Sequence, residues 1–412
     1  MAVMLNVINK ISLNPREKYF DFLQNKNNAY NAIVTKDCVK STMGFWANGM
    51  PLSQPTKIVQ VKSFDGSTYI LDSNGYLYKH EGEERKVCDL RFSTDYKMGY
   101  VDYQERTAII VFSSISSVLL DDGIPYTLPY TGVDYAYAFG RIFYFTKNAL
   151  YFSKPYEFFG EPDGAINIED VAGQFRKLYV IHDDLYVICS KRIYKIPRFA
   201  SVDDIRLNVL QLVVKNVSSK VVFGIGDKVY FLEDYKICCF DGKTIRKIPT
   251  CLNANDYVLY VGNSGEDDGI INVHVNRRAT GKNYVFRFDT TTEDQSLIEF
   301  SGKLMPYFSA CISSDGKFME LSSDATVNVN YASNSTDFSD EQEKLAYSIS
   351  GYSSEIINLT LEGEFGLKTI QFNKGYNCVY CNFKFNTIKI SFSTTAKDFV
   401  LQNLKIKYTV TK

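Results

Sequence analysis

The chain has 412 residues and a net charge of −1, from 46 basic and 47 acidic side chains. That balance argues against a protein that coats nucleic acid, which needs a basic excess to displace counterions. Hydrophobic residues at 45% and charged residues at 23% allow a packed core and exclude global disorder.

The aromatic content points to β structure. There are 30 Tyr and 29 Phe but one Trp, Trp46, and Tyr, Phe, Val and Ile suit a pleated, half-buried surface. Only His80, His182 and His274 occur, which leaves little for a histidine metal site or base. The nine cysteines, in a chain whose Met1–Lys10 does not resemble a signal peptide, read as reduced small hydrophobes made in a cytoplasm. No run approaches the ~20 apolar residues of a membrane span.

In chain order, residues 1–56 form an irregular entry segment. Within it, Pro15–Gln24 predicts a short helix with Asn14 as cap and Pro15 at the first helical position. Thr42–Pro51 is turn-rich. From residue 57 the period becomes two: Lys57–Phe64, a turn at Asp65-Gly66, Ser67–Leu71, a turn at Ser73–Gly75, then Tyr76–Lys79. Two successive hairpins make a meander.

The unit recurs at Gly140–Phe145, Asp183–Ile188 and Gly226–Phe231, whose starts are 43 residues apart. Each is followed by a polar turn and a second strand, at Ala149–Phe152, Arg192–Ile196 and Lys236–Phe240. Weaker copies lie at Ser67–Lys79, Thr107–Leu120, Gly269–Asp289 and Tyr307–Leu321. A strand-and-turn repeat of this length matches a β-propeller blade. The expectation is an all-β chain with a propeller of about six blades over residues 57–332; a long antiparallel sandwich is the competing reading. Residues 333–343 read as a polar linker. In residues 333–412, the alternating runs Cys378–Phe385, Ile388–Phe392 and Phe399–Tyr408 predict an extra C-terminal β-sheet or sandwich, or closing strands of the propeller.

No constellation for catalysis, cofactor or metal emerges, and the chain is expected not to be an enzyme. Cys378-x-x-Cys381 has zinc-knuckle spacing but lacks a second pair, and strand residues three apart face opposite sides. Cys238-Cys239 reads as strand packing. Asp121–Gly123, Glu266–Gly269 and Ser314–Gly316 read as turns rather than calcium loops. Arg277-Arg278 sits on a hairpin turn. The sialidase box and the Gly-x-Ser-x-Gly elbow are missing. Asn334 and Asn358 begin formal glycosylation sequons without functional weight. The many Tyr and Phe are expected to fill the gaps between twisted blades, with some forming sticky patches for neighbouring subunits.

The stretch Tyr137–Gly160, continued by Ile166–Asp170 and Phe175–Ile196, resembles the β-propeller of the nozzle, or tail-stabilisation, proteins of short-tailed bacteriophages. Asn31–Phe45 is similar to their entry segment and Lys397–Tyr408 to their closing strands. The likeness covers roughly half the chain and carries no catalytic residue. It implies a virion structural protein, synthesised in the host cytoplasm, that forms a homo-oligomeric ring, six-fold in expectation, around the DNA ejection channel. Its partners would be adaptor, portal or tail-fibre proteins, with DNA passing transiently. The alternative is a carbohydrate-binding or glycan-cleaving propeller in a receptor-binding tail part, with carboxylates or aromatics converging on an axial pocket. A third reading is a cellular protein-interaction propeller.

Overall fold

A computed structural model describes residues 18–21, 28–30, 32–34, 38–41, 44–47 and 57–411, apart from 82, 147–148, 169–172, 200–203, 211–217, 316, 323–327, 334, 339–341 and 397. Nearly two thirds of these residues lie in β-strands, and no α-helix is found among them. No helix among them is long and apolar enough to cross a membrane. The chain divides into two compact units. One comprises residues 47–292 and 300–320; the other takes residues up to 46, 293–299 and 321–412. The strands Gln295–Phe300, Phe318–Ser322 and Gly44–Ala47 straddle the division.

The first unit is a β-propeller built on seven antiparallel sheets, where the sequence suggested about six. Sheet 1 runs Ile58–Phe64, Ser67–Asp72, Tyr76–His80, Glu84–Arg91. Sheet 2 runs Lys97–Tyr103, Arg106–Phe112, Ser117–Asp121, Ile124–Thr127, and sheet 3 runs Asp134–Ala138, Arg141–Phe145, Ala149–Phe152, Gly164–Asn167. Sheet 4 has Phe175–Ile181, Asp184–Cys189, Ile193–Ile196, Asn208–Leu210, and sheet 5 has Val222–Ile225, Lys228–Glu233, Lys236–Phe240, Ile245–Ile248. Sheet 6 opens with Tyr257–Asp267, Ile270–Arg277 and Asn283–Asp289; sheet 7 opens with Lys303–Met305, Ala310–Ile312 and Phe318–Ser322. The 43-residue rhythm marks one recurring place: the turn into the second strand of sheets 3, 4 and 5.

Two-residue turns join first to second strands in sheets 1 to 6. Both central residues have positive φ at Asp65-Gly66, Gln104-Glu105, Phe139-Gly140, His182-Asp183 and Asp268-Gly269. That geometry matches the right-handed twist of the flanking strands. Phe139 holds it at φ 56° while its ring meets Phe143 and Phe199 edge-on. Tertiary packing there outweighs the steric cost of a left-handed phenylalanine.

Burial follows a radial gradient. Second strands are buried on both faces, as in Arg141–Phe145, Asp184–Cys189 and Lys228–Glu233. Fourth strands face solvent, as in Ile124–Thr127, and first strands are half-buried, as in Phe175–Ile181. A second strand sandwiched between neighbouring sheets cannot alternate polar and apolar residues, which explains its continuous aromatic and aliphatic run.

Hydrophobic contacts close the ring. Leu71 and Tyr96 pack with Val111 and Val118 between sheets 1 and 2. Phe112 meets Tyr135 and Tyr144 across sheets 2 and 3. Phe143 and Leu150 meet Leu185 and Val187 across sheets 3 and 4. The Tyr186 ring meets Phe240, and Tyr230 meets Phe288. Asn272 Nδ2 donates to Pro306 O at 2.9 Å, linking sheets 6 and 7. Ile58, Val61 and Ile70 then pack with Met305, Ala310 and Ile312, joining sheet 7 to sheet 1.

The second unit is a sandwich. One sheet orders Ala32–Val34, Cys38–Ser41, Val400–Val410, Lys344–Ser353 and Gly375–Phe385. The other orders Asn28–Tyr30, Val329–Ala332, Ile388–Thr394, Ile357–Gly363 and Gly366–Phe372. Ile349, Leu401 and Ile406 from the first pack against Leu359, Phe372 and Ile390 from the second.

Three local expectations need correction. The part of Pro15–Gln24 that is described, Lys18–Asp21, is a strand paired antiparallel with Lys405–Tyr408 rather than a helix. A single short helix is marginal on its own, and ladder bonds to a long strand override it. Within Thr42–Pro51, Gly44–Ala47 is strand; residues 42–43 and 48–51 lie outside the described residues. The polar run 333–343, where described, is tied to strands: the Ser333 amide donates to Ile390 O at 2.8 Å, and the Thr336 amide donates to Ile388 O at 3.0 Å. Asn334 lies outside the described residues.

Candidate functional site

The half-buried first strands of the propeller surround a cavity of about 420 Å3. Sheets 1, 2 and 4 contribute Lys62, Lys97 and Lys177, and Lys220 enters just before sheet 5. Arg176 adds a fifth cation, while Asp95 and Glu266 are the carboxylates that line it. Tyr96, Tyr179 and Tyr307 form aromatic wall.

The wall depends on two glycines. A Cβ on Gly224 would run into the Tyr179 ring, and one on Gly265 would come within 2.8 Å of the Tyr307 ring and of Pro306 backbone. Each tyrosine therefore leans over a neighbouring sheet's first strand where no side chain stands. The Tyr179 hydroxyl donates to Val222 O at 3.0 Å, which fixes the ring.

Lys62 Nζ donates to the Tyr96 carbonyl at 2.6 Å. It also sits 4.2 Å from the Tyr96 ring centroid and 4.3 Å from that of Tyr307. Burial lowers its pKa to about 7, helped by the charge of Lys177 and, more weakly, Lys220 and Lys97; Asp95 opposes the shift. Lys97 Nζ donates to Tyr135 O at 2.8 Å and Leu178 O at 3.1 Å, and pairs with Asp134 at 3.2 Å. Burial lowers its pKa too, with Asp134 pulling the other way. Lys220 pairs with Asp95. Glu266 accepts the Gly269 amide at 2.8 Å, and burial raises its pKa. The arrangement suits an anion: clustered ammonium groups in a partly desolvated space, with polarisable rings beside them.

The residues singled out from the sequence fall elsewhere, with one exception. Cys378 is exposed and Cys381 buried, on opposite faces of one strand. Cys238 and Cys239 are buried in sheet 5, and burial pushes the Cys238 thiol up to about 12. Asp122 lies at a turn and pairs with Arg106 at 3.1 Å. Arg278 is exposed and donates to Ala254 O at 3.0 Å. Among the described residues no three His, Cys, Asp or Glu side chains are grouped to hold a metal. The exception is Glu266: Asp268-Gly269 is the turn read from sequence, while Glu266 reaches the cavity. The lysines were missed because they are scattered along the chain, each 35 residues or more from the next. A clue was present: Lys62, Lys97 and Lys177 all occupy first strands.

No protein-family model matches the chain, and no curated protein does. Solved structures do. The chain is similar to KlHsv2 with a loop replaced by a Gly-Ser linker, at 9% identity and a TM-score of 0.35, covering 67% of this chain and 98% of that one. It is similar to the N-terminal domain of Nup159, at 9% identity and a TM-score of 0.34, covering 70% and 97%. It is also similar to BBS1N, solved in complex with ARL6DN, at 11% identity and a TM-score of 0.35, covering 69% and 90%.

Proposed function

We propose that the chain is a structural, non-catalytic component of a bacteriophage tail. It assembles side by side into a ring around the DNA exit channel, as nozzle, neck or tail-hub protein. The propeller supplies a rigid wedge, and heterologous contacts of fixed rotation close into a ring. The neighbours would be adaptor, portal or fibre proteins, and DNA would pass without lasting contact.

One observation carries the assembly part of this reading. Gly375–Phe385 ends its sheet, with no strand beyond it among the described residues. Its outward face carries Tyr376 and Tyr380, 85% and 81% exposed. The adjoining edge of the other sheet adds Leu367 at 71% and Phe365 at 57%. A long, aromatic, unpaired edge is an aggregation hazard in a lone monomer and a ready interface in an assembly. The phage assignment rests on the sequence resemblance over Tyr137–Ile196. The glycan-cleaving alternative calls for converging carboxylates at the axis, whereas Asp95 is paired with Lys220 and Glu266 accepts a backbone amide.

Native mass spectrometry tests the reading. The intact chain is expected as a discrete oligomer, and the double variant Tyr376→Glu, Tyr380→Glu as a monomer with an unchanged melting temperature. A wild-type monomer up to high micromolar concentration would overturn it. The phage assignment is tested separately, by whether the chain co-purifies with a portal protein in particles.

A further inference from the structure

Charges in the axial cavity are only partly matched. Lys97 has Asp134 and Lys220 has Asp95. Lys62 has a carbonyl and two aromatic rings instead. Among the described residues neither Lys62 nor Lys177 has a carboxylate within ion-pair distance. Arg176 donates one guanidinium hydrogen to Gln174 Oε1 at 3.1 Å, and its Nε is buried without a hydrogen-bond partner. The Tyr96 hydroxyl, on a residue 1% exposed, is likewise buried and unpartnered. Two ammonium groups thus lack an acidic partner, and a guanidinium N–H and a phenol lack any hydrogen bond, on residues that line one space. Each can donate a hydrogen bond, and leaving a buried donor unmade is costly.

We propose that the axial cavity binds a phosphate group, with Lys62, Lys177 and Arg176 as its cations and the Tyr96 hydroxyl as a neutral donor. A phosphate offers several acceptor oxygens and up to two negative charges, so it answers several cations at once where a carboxylate answers fewer. The cavity, at about 420 Å3, has room for a small organic group beside the phosphate. Tyr179 and Tyr307 provide flat walls for that group.

Calorimetric titration of the full chain with inorganic phosphate and with phenyl phosphate, at fixed ionic strength, tests the site. At least one probe should bind saturably at one site per chain. Equal affinities identify the free ion as sufficient; tighter phenyl phosphate identifies a phosphate carried on a small organic molecule. Lys62→Met and Lys177→Met should each weaken binding tenfold or more, and Lys86→Met, outside the cavity, should not. If Lys62→Met fails to fold, Lys177→Gln carries the same expectation. Saturable binding by neither probe, or unchanged affinity in the lysine variants, overturns the proposal. Ring assembly is read by mass and this site by heat, so either idea can fail alone.

Discussion

The propeller and the sandwich solve the same problem, strand burial, in opposite ways. In sheets 1 to 5 of the propeller every hydrogen-bonded neighbour is also the next strand in sequence. In the sandwich most neighbours are remote: Val400–Gln402 pairs with Cys38–Lys40, and Asn28–Tyr30 with Asn330–Ala332. Local pairing repeats, so it leaves a rhythm in the sequence. Remote pairing closes long loops, costs more chain entropy before it is rewarded, and leaves no rhythm.

The largest effect should come from the packed ring. Phe143, in a second strand, is fully buried. Phe143→Ala should cost about 3–5 kcal/mol, seen as a lower denaturant midpoint with little change in slope. Leu401→Ala, equally buried in the sandwich, should cost about 2–5 kcal/mol. Its signature differs: amide protection should fall at both Cys38–Lys40 and Val400–Gln402, because they share one ladder. Loss of protection confined to residue 401 and its chain neighbours would break the contrast between local and remote pairing.

Gly265→Val should cost about 1–3 kcal/mol by overpacking, since its Cβ meets backbone that cannot swing aside. It should also weaken anything bound at the axis by displacing Tyr307.

The pH dependence is next in size. Lys62 has a folded pKa of about 7, below its ordinary 10.5. Between those values the unfolded chain holds a proton that the folded chain has released, so stability rises with pH across this window. Facing charges from Lys177, Lys220 and Lys97 deepen the effect and Asp95 reduces it. Lys62→Met should flatten that rise in stability measured from pH 7 to 10. An unaltered profile would show that another group sets it.

The smallest effect lies in a turn. Glu105 sits at φ 63° in an exposed hairpin. Glu105→Gly should raise stability by about 0.5 kcal/mol, the left-handed cost removed less the added chain entropy. The gain is readable as a small rise in melting temperature.

The propeller was legible in the sequence because its second and third strands are continuous apolar runs between turns. Ser67–Lys79, Gly140–Phe152 and Gly226–Phe240 all fall on those strands. The three regular and four weaker copies fall one on each of the seven sheets, and the count read as about six because those at residues 67, 107 and 307 depart from the 43-residue spacing. The strand at Lys18–Asp21 was illegible because its partner lies nearly 390 residues away. The axial cavity was equally hidden. Lys62, Lys97 and Lys177 read singly as polar residues on half-exposed strands, and only ring closure turns them towards one another.

Electron microscopy of the purified chain tests the central claim of ring assembly most directly. The account predicts closed rings of repeated copies, with Tyr376 and Tyr380 at the junction between neighbours. Single separated seven-bladed particles at every concentration would contradict it.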